Sequence, residues 1–232
     1  MRKACEMSRD ELAHYIDYAV LKPETTEAEL IEATKKGVEL KVRSVCVNPA
    51  YVALLEPYVK GTHTRISPVA DFPFGSSSTK SRLAQLEDVM KYDCVEEIDI
   101  VMNYGKLRSG RDEEVTEDLK ACADLCHEYG RKLKVILETD ALTTDEIIRG
   151  CHCVMNAGAD FVKTSTGFLT GHELRGAAND VVELLLKETD GKCLVKGSGV
   201  IRTREHFLEL IDMGADRLGI NYTSAVKILG EE

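Results

Sequence analysis

The sequence lacks the features that mark nucleic-acid-binding, membrane and exported proteins. It has no cluster of lysine and arginine, and its net charge is −10, so a nucleic-acid partner is not expected. No apolar run approaches the length that spans a membrane. The first residues, from Met1 to Glu6, lack the apolar core of a signal peptide. We therefore expect a cytoplasmic protein with neither a nucleic-acid nor a membrane partner.

Paired Cys-x-x-Cys motifs are also absent, although the chain has eight cysteines. Cys151 and Cys153 fall in a predicted helix, where such close neighbours diverge and do not grip one metal ion. Cys122 and Cys126 share a helix face, a spacing that is equally typical of a core stripe. In a chain of this length without a signal peptide, we expect reduced cysteines and no structural metal.

Strand and helix patterns alternate regularly along the 232 residues, and no linker or low-complexity segment interrupts them. Such alternation predicts a parallel sheet, and eight units favour a single α/β domain over residues 1–232, a (β/α)₈ TIM barrel with a short N-terminal helix. An open doubly wound sheet is the alternative, but no glycine-rich dinucleotide fingerprint follows the first strand. The predicted strands are 16–22, 43–47, 65–69, 97–102, 132–137, 161–163, 194–196 and 217–219. The predicted helices are 8–13, 26–40, 50–58, 76–91, 112–129, 143–157, 173–188, 203–213 and one from 223.

Two lysines end consecutive apolar runs. Lys163 follows Phe161-Val162 and Lys196 follows Leu194-Val195, and small hydroxyl and glycine residues come next in both cases. A lone lysine of this kind usually lies on apolar surface with its ammonium in water. A buried pair behaves differently, because repulsion and burial both disfavour the charged forms. One amine should then be neutral near pH 7 and able to attack a carbonyl, as in Schiff-base enzymes.

The active site of a TIM barrel lies at the carboxyl ends of its strands. The residues predicted at those ends are Asp17, Cys46, Asp71, Asp99, Glu138, Lys163, Lys196 and Asn221. Asp99 interrupts an apolar strand and requires a cationic partner, for which Lys163 and Lys196 are the candidates. Asp17 and Glu138 have an alternative interpretation, in which each simply neutralises a lysine. Cys46 is more typical of a small core residue than of a nucleophile.

Several of these segments resemble the deoxyribose-phosphate aldolases, a family of class I aldolases with a (β/α)₈ barrel. The resemblance runs from about Ile16 to Gly219, nearly the whole chain. The matching motifs are Ile16-Asp17 with Leu21-Lys22-Pro23, Ser44 to Pro49, Phe72-Pro73 with Gly75, Glu97 to Asn103, Glu138-Thr139, Phe161 to Phe168, and Val195-Lys196 with Ser198-Gly199 and Ile201-Arg202-Thr203.

The resemblance implies a reversible cleavage of 2-deoxyribose 5-phosphate into glyceraldehyde 3-phosphate and acetaldehyde. It implies that Lys163 forms the Schiff base, that Lys196 lowers its pKa, and that Asp99 takes part in proton transfer. No cofactor or metal is implied, because the protonated imine is the electron sink. The expected partner is a small aldehyde or sugar phosphate, and the expected assembly is a homodimer or homotetramer. The residues assigned to substrate binding are Asp17, Cys46, Thr166, Gly199, Val200, Asn221 and Tyr222.

The sequence departs from the family pattern at positions that we expect in the pocket. Tyr18-Ala19 replaces His-Thr, Asp71 replaces a glycine, and Val200 replaces the second glycine after Ser198. Asn221 and Tyr222 replace small residues after the last strand. These changes predict weak phosphate binding, or an alternative aldehyde that is unphosphorylated or carboxylated. A metabolite-binding barrel without catalysis is the alternative of another class, although it gives no reason to keep Lys163, Lys196 and Asp99 together.

Overall fold

A computed structural model describes residues 3–230. Eight parallel strands hydrogen-bond in sequence order, and β8 pairs with β1, which closes the sheet into a barrel. The predicted (β/α)₈ barrel is therefore confirmed, and the open sheet is wrong. The strands are β1 Ile16–Val20, β2 Ser44–Val47, β3 Arg65–Ala70, β4 Glu97–Val101, β5 Lys132–Ile136, β6 Phe161–Lys163, β7 Leu194–Ser198 and β8 Arg217–Asn221.

Helices alternate with the strands and cover the outside of the barrel. Their bounds are α1 Arg9–Ala13, α2 Glu27–Glu39, α3 Val52–Val59, α4 Thr79–Met90, α5 Tyr104–Arg108, α6 Asp112–Glu128, α7 Thr144–Asn156, α8 Asn179–Thr189, α9 Arg204–Met213 and α10 Tyr222–Ile228. Between residues 3 and 230, no helix combines the length and apolarity needed to cross a bilayer.

Side chains before the helices explain where several of them begin. Ser8, Thr26 and Thr143 each accept a hydrogen bond from the backbone N–H three residues on. In each case a glutamate at that position reaches back to the cap, which completes a capping box. Thr26 and Glu29 form such a box at the start of the helix that the sequence predicts from residue 26.

The predicted start of the helix before β7 is wrong by six residues. The sequence favoured a helix from Glu173, whereas α8 begins at Asn179. The backbone N–H groups of Arg175 and Gly176 instead donate to the Asp140 carboxylate at 3.1 Å. Gly176 also approaches Gly199 so closely that a Cβ at position 176 would lie 2.5 Å from the Gly199 carbonyl oxygen. These contacts hold residues 167–178 as a loop over the barrel mouth.

Alternation along the strands divides the side chains between the barrel interior and the helix layer. Tyr18 points outward and packs against α2, where a Cβ at Gly37 would lie 3.4 Å from its ring. The preceding Asp17 points inward, as expected from the two-residue period of a strand. The substitution at Tyr18 therefore does not fall in the pocket, and that expectation is wrong.

Asp71 also points away from the barrel mouth. Its carboxylate lies 2.9 Å from the guanidinium of Arg82, which is fully buried on α4. It also accepts hydrogen bonds from the backbone and hydroxyl of Ser77. Arg82 contacts Asp118 on α6 as well. The negative charge of Asp71, which was expected at the barrel mouth, is therefore neutralised by Arg82 between α4 and α6.

Arg82→Met is expected to destabilise the fold by about 3–5 kcal/mol, because two buried carboxylates lose their partner. Urea denaturation measures the free energy of unfolding directly. Arg108→Met is the matched control, since its guanidinium is exposed and lies 3.8 Å from Glu146. It should cost less than about 1 kcal/mol. Equal stability of the two variants would contradict a structural role for Arg82.

Candidate active site

Lys163 is the last residue of β6, and its side chain is almost completely buried. Its Nζ lies 2.6 Å from Oδ2 of Asp99. Burial lowers the pKa of Lys163 below its ordinary value, and the nearby Lys196 ammonium lowers it further. Asp99 opposes this shift without reversing it. The structure thus holds an amine with a raised neutral fraction at a strand end.

Lys196 faces Lys163 across the β6–β7 pair, where the two residues are direct neighbours. Its Nζ lies 2.7 Å from Oδ2 of Asp99 and 2.5 Å from Oδ2 of Asp17. Burial alone would lower the pKa of Lys196, but the two carboxylates outweigh it and hold this pKa above the ordinary value. The pKa values of the two lysines are therefore shifted in opposite directions, and Lys196 stays charged beside Lys163.

A third buried lysine, Lys134 on β5, was missed by the sequence analysis. Its Nζ lies 2.8 to 3.2 Å from the carboxylates of Asp17, Glu97 and Asp99. These acids raise its pKa despite its burial. The alternation of Lys132, Lys134 and Ile136 along one strand was the available signal. Lys132 is exposed, however, and no local pattern distinguishes Lys134 from it as an inward residue.

Arg217 on β8 completes the charged interior. Its guanidinium contacts Asp17 at 3.0 Å and both oxygens of Glu97 at 2.8 and 3.1 Å. Neither Arg217 nor Glu97 is among the site residues predicted from the sequence. Both belong to predicted strands and are followed by apolar residues, so nothing local distinguished them from ordinary surface charges.

The surroundings of Lys163 set its pKa apart from those of the other basic groups in this cluster. The interior holds three carboxylates, on Asp17, Glu97 and Asp99, and all three have pKa values lowered by the neighbouring cations against the effect of burial. Four basic groups face them: Lys134, Lys163, Lys196 and Arg217. Three of these have raised pKa values and balance the three acids. Lys163 is the one basic group of the four whose pKa is lowered, so it loses its proton most readily.

Asp17 lies deeper than predicted. It is the second residue of β1 rather than its end, and it is completely buried. Oδ1 accepts a hydrogen bond from Ser44 at 2.7 Å, while Oδ2 contacts Lys196 and Lys134. The side chain neutralises two lysines below the cavity, so its placement at a strand end is wrong.

Cys46 is buried in an apolar wall beside the lysines. It forms a small cluster with Leu21 and Val69, against which Phe72 and Phe168 pack. The two phenylalanine rings meet edge to face at 5.3 Å. Burial raises the pKa of the Cys46 thiol to about 11. Cys46 therefore remains a protonated wall residue, which agrees with the core interpretation.

A cavity of about 540 Å³ opens at the carboxyl ends of β6, β7 and β8. Five of the residues assigned to substrate binding line it: Thr166, Gly199, Val200, Asn221 and Tyr222. Gly219 is part of the lining beside Lys196, where a Cβ would lie 2.6 Å from the Ser198 hydroxyl. A glycine here keeps the space above the lysines open.

Val200 adopts a backbone conformation that valine rarely tolerates. Its φ is 60°, and that of Gly199 is 89°. Positive φ is unfavourable for a β-branched residue, so the loop after β7 keeps the shape expected for the family's second glycine. The valine adds a partly exposed side chain to the cavity without changing the local chain direction.

Asn221 ends β8 and caps α10. Its side-chain oxygen Oδ1 accepts hydrogen bonds from the backbone N–H and the hydroxyl of Thr223, at 3.0 and 2.8 Å. The Thr223 hydroxyl is thus already used as a donor. The Tyr222 ring lies 6.2 Å from that of Tyr18. These larger residues narrow the cavity but do not close it.

The cysteine thiols lie apart from this cavity. All eight are free, and burial raises the pKa values of Cys122 and Cys126 to about 12. Across the described residues, no group of three or more histidine, cysteine, aspartate or glutamate side chains is arranged to hold a metal ion.

A TIM barrel that holds a buried lysine of lowered pKa beside a carboxylate and a second lysine has the machinery of an aldolase. A comparison with family models agrees: the model described as DeoC/LacD family aldolase matches residues 4–221. The chain belongs to this family, and the resemblance seen in its motifs is confirmed. It is accordingly a carbon–carbon lyase.

Similar proteins extend over almost the whole chain. The deoxyribose-phosphate aldolase of Caldicellulosiruptor saccharolyticus is 37% identical and covers 97% of this chain and 100% of its own length. That of Thermococcus kodakarensis is 38% identical and covers 96% and 97%. Among solved structures, the tetrameric deoxyribose phosphate aldolase from Aeropyrum pernix superposes with a TM-score of 0.85 at 27% identity, covering 96% of this chain and 91% of its own.

Proposed function

We propose that this protein is a class I aldolase that reversibly cleaves 2-deoxyribose 5-phosphate into glyceraldehyde 3-phosphate and acetaldehyde. The observation that carries the proposal is the position of Lys163, the one basic group of the buried cluster with a lowered pKa, 2.6 Å from Asp99. Family membership and the named relatives support the substrate. The metabolite-binding alternative offers no use for a neutral buried amine.

The first step is attack of the neutral Lys163 amine on C1 of the open-chain sugar. Loss of water from the resulting carbinolamine gives a protonated imine, which draws electrons from the C2–C3 bond. That bond breaks when the 3-hydroxyl loses its proton, and the acceptor aldehyde leaves. The remaining enamine takes a proton at C2, and hydrolysis of the imine releases acetaldehyde and restores the lysine.

Lys196 and Asp99 are suited to the proton transfers of this sequence. Lys196 remains charged and can donate a proton to the departing carbinolamine oxygen. Asp99 accepts hydrogen bonds from three ammonium or amine groups, those of Lys134, Lys163 and Lys196. Its negative charge stabilises the positively charged imine on Lys163. We assign Lys163 as the nucleophile and Lys196 and Asp99 as its catalytic partners.

Three basic side chains of the cavity lining provide positive charge for a phosphate group. Lys22, Arg202 and Lys227 line it. Within residues 3–230, none of these three side chains forms an ion pair with a carboxylate. Because Asp71 is neutralised elsewhere, it does not repel a dianion at the mouth. This charge distribution favours the phosphorylated sugar over the unphosphorylated alternative, and the named relatives favour it over a carboxylated one.

Lys227→Gln is expected to lower kcat/KM for 2-deoxyribose 5-phosphate by about 10- to 100-fold, the loss expected for one charge-assisted hydrogen bond. The effect should appear mainly in KM, and cleavage of unphosphorylated 2-deoxyribose should hardly change. Lys192→Gln is the control, since this exposed lysine precedes β7 at the other end of the barrel. A parallel loss on both sugars would contradict a phosphate contact.

A direct assay of the two sugars tests the proposed function. Cleavage of 2-deoxyribose 5-phosphate should exceed that of 2-deoxyribose in kcat/KM by several orders of magnitude, in line with three unpaired cations at the phosphate end. Comparable rates would support the expectation of weak phosphate binding. An absence of cleavage of both sugars would refute the proposal.

We also propose that the protein self-associates. A tetrameric relative of the same fold supports this assembly. Light scattering after size-exclusion chromatography distinguishes a monomer of 25.7 kDa from a dimer or a tetramer. A single monomeric species over the micromolar range would contradict the proposal.

A further inference from the structure

Glu138 is a buried carboxylate that the mechanism above does not use. It follows β5 in a left-handed conformation, with φ 61° and ψ 60°, and is 1% exposed. A non-glycine residue in this region carries strain of about 1–3 kcal/mol, which persists where surrounding contacts enforce it. Within residues 3–230, no lysine or arginine forms an ion pair with it. Among the described residues, Glu138 therefore pairs with no lysine directly, and Lys163 acts on it only through a longer-range attraction that is weaker than its hydrogen bonds to Thr166.

Both oxygens of Glu138 are engaged by one residue of the loop after Lys163. Oε1 accepts a hydrogen bond from the backbone N–H of Thr166 at 3.1 Å, and Oε2 accepts one from the Thr166 hydroxyl at 2.5 Å. The Thr166 hydroxyl oxygen in turn accepts a hydrogen bond from the backbone N–H of Phe168 at 3.0 Å. Glu138 thus fixes the residue that stands three positions after the nucleophile.

This arrangement determines what Thr166 can offer to a ligand. A hydroxyl has one proton to donate and two lone pairs to accept with. The proton is committed to Glu138 and one lone pair to Phe168, so one lone pair is left. Thr166 lines the cavity, and there it can accept a hydrogen bond but cannot give one. It suits a hydroxyl group of the substrate rather than a carbonyl or phosphate oxygen.

We propose that Glu138 is a positioning residue that orients Thr166 as a hydrogen-bond acceptor and thereby selects acceptor aldehydes with a hydroxyl group at C2. This inference rests on the proposed function, because that hydroxyl becomes the 4-hydroxyl of the product sugar. Glu138 itself is not expected to contact the substrate, since both of its oxygens face Thr166.

Glu138→Gln is a sharp test because it reverses one hydrogen bond and preserves the shape of the side chain. The Thr166 N–H requires an acceptor, so the amide oxygen of glutamine takes that side. The amide nitrogen then faces the Thr166 hydroxyl oxygen and donates to it. The hydroxyl proton is released toward the cavity, and Thr166 changes from an acceptor into a donor.

The measurement compares glyceraldehyde 3-phosphate with its analogue 3-phosphooxypropanal, which lacks the C2 hydroxyl, as acceptors for acetaldehyde. In Glu138→Gln, the ratio of their kcat/KM values should fall about 10-fold, because the substrate hydroxyl loses its partner. Thr166→Val should lower the ratio similarly, whereas Thr166→Ser keeps the hydroxyl and should preserve the ratio. Reductive trapping of Lys163 with acetaldehyde is measured in each variant, so that a loss of imine formation is separated from a change in acceptor selection. Glu128→Gln, on the exposed face of α6, is the control.

An unchanged ratio in both Glu138→Gln and Thr166→Val would overturn the inference. An equal loss on both acceptors would also overturn it, since it would indicate a general structural role. If the unaltered protein forms no adduct and uses neither acceptor, the proposed function fails, and this inference falls with it. If the unaltered protein is active but the ratio of the two kcat/KM values is the same in the variants, the inference fails and the proposed function stands.

Discussion

Lys163→Met is expected to lower kcat for 2-deoxyribose 5-phosphate by about 10⁴-fold or more, the scale seen when a covalent nucleophile is removed. Methionine has nearly the length of lysine but cannot form an imine. Because burial and the Lys196 ammonium lower the pKa of Lys163, its removal takes little favourable charge interaction from the buried cluster. The free energy of unfolding should then change by less than about 1.5 kcal/mol.

Lys163→Arg is the informative companion to this variant. Arginine is always protonated and is not a nucleophile, so activity should be lost to the same extent. It adds a permanent fourth cation to the buried set, and the protein should be less stable than Lys163→Met. Urea denaturation of the two variants tests this order. Greater stability of the arginine variant would contradict a neutral Lys163, and residual activity above about one percent in both would contradict its role as nucleophile.

Lys196→Met is expected to slow imine formation at pH 7 and to move its pH dependence upward. Removing the ammonium ends its repulsion of Lys163 and leaves Oδ2 of Asp99 to Lys163 alone. Both changes raise the pKa of Lys163. Each unit of increase lowers the neutral fraction about tenfold at a pH below that pKa. The rate should therefore recover as the pH is raised toward the new pKa.

Lys196→Arg separates charge from proton transfer. It keeps a cation beside Lys163, so the midpoint of the pH profile should stay near that of the unaltered protein, while the plateau rate should fall if Lys196 shuttles a proton. The rate of reductive trapping with acetaldehyde, measured from pH 5 to 10, gives both quantities. An unchanged profile in Lys196→Met would mean that burial alone activates Lys163.

The regular parts of the fold were predictable because local patterns determine them. Capping boxes such as Thr26 with Glu29 mark helix starts, and apolar runs such as Phe161-Val162 mark strands. The loop before α8 was not predictable, because a carboxylate from another unit, Asp140, captures its backbone. Asp140 precedes the two residues that it contacts by 35 and 36 positions, so no local sequence pattern predicts these hydrogen bonds.

The site was partly predictable for a similar reason. Lys163 and Lys196 end neighbouring strands, so topology alone brings them together, and Asp99 needed a cation. Lys134 was not predicted, because its inward orientation depends on which residues of β5 face the barrel interior. Both faces of this strand are covered, so its sequence pattern does not show which face that is. Asp71 was misplaced because its partner, Arg82, lies on the following helix and pulls it out of the mouth.

Reductive trapping of the acetaldehyde imine, followed by peptide mapping, tests the central claim most directly. We expect borohydride to leave an N-ethyl group on Lys163 and on no other buried lysine. The rate of trapping should reach half of its maximum at a pH clearly below about 10.4, the ordinary pKa of lysine. Modification of Lys134 or Lys196 in its place, or no modification of the peptide that contains Lys163, would contradict the account.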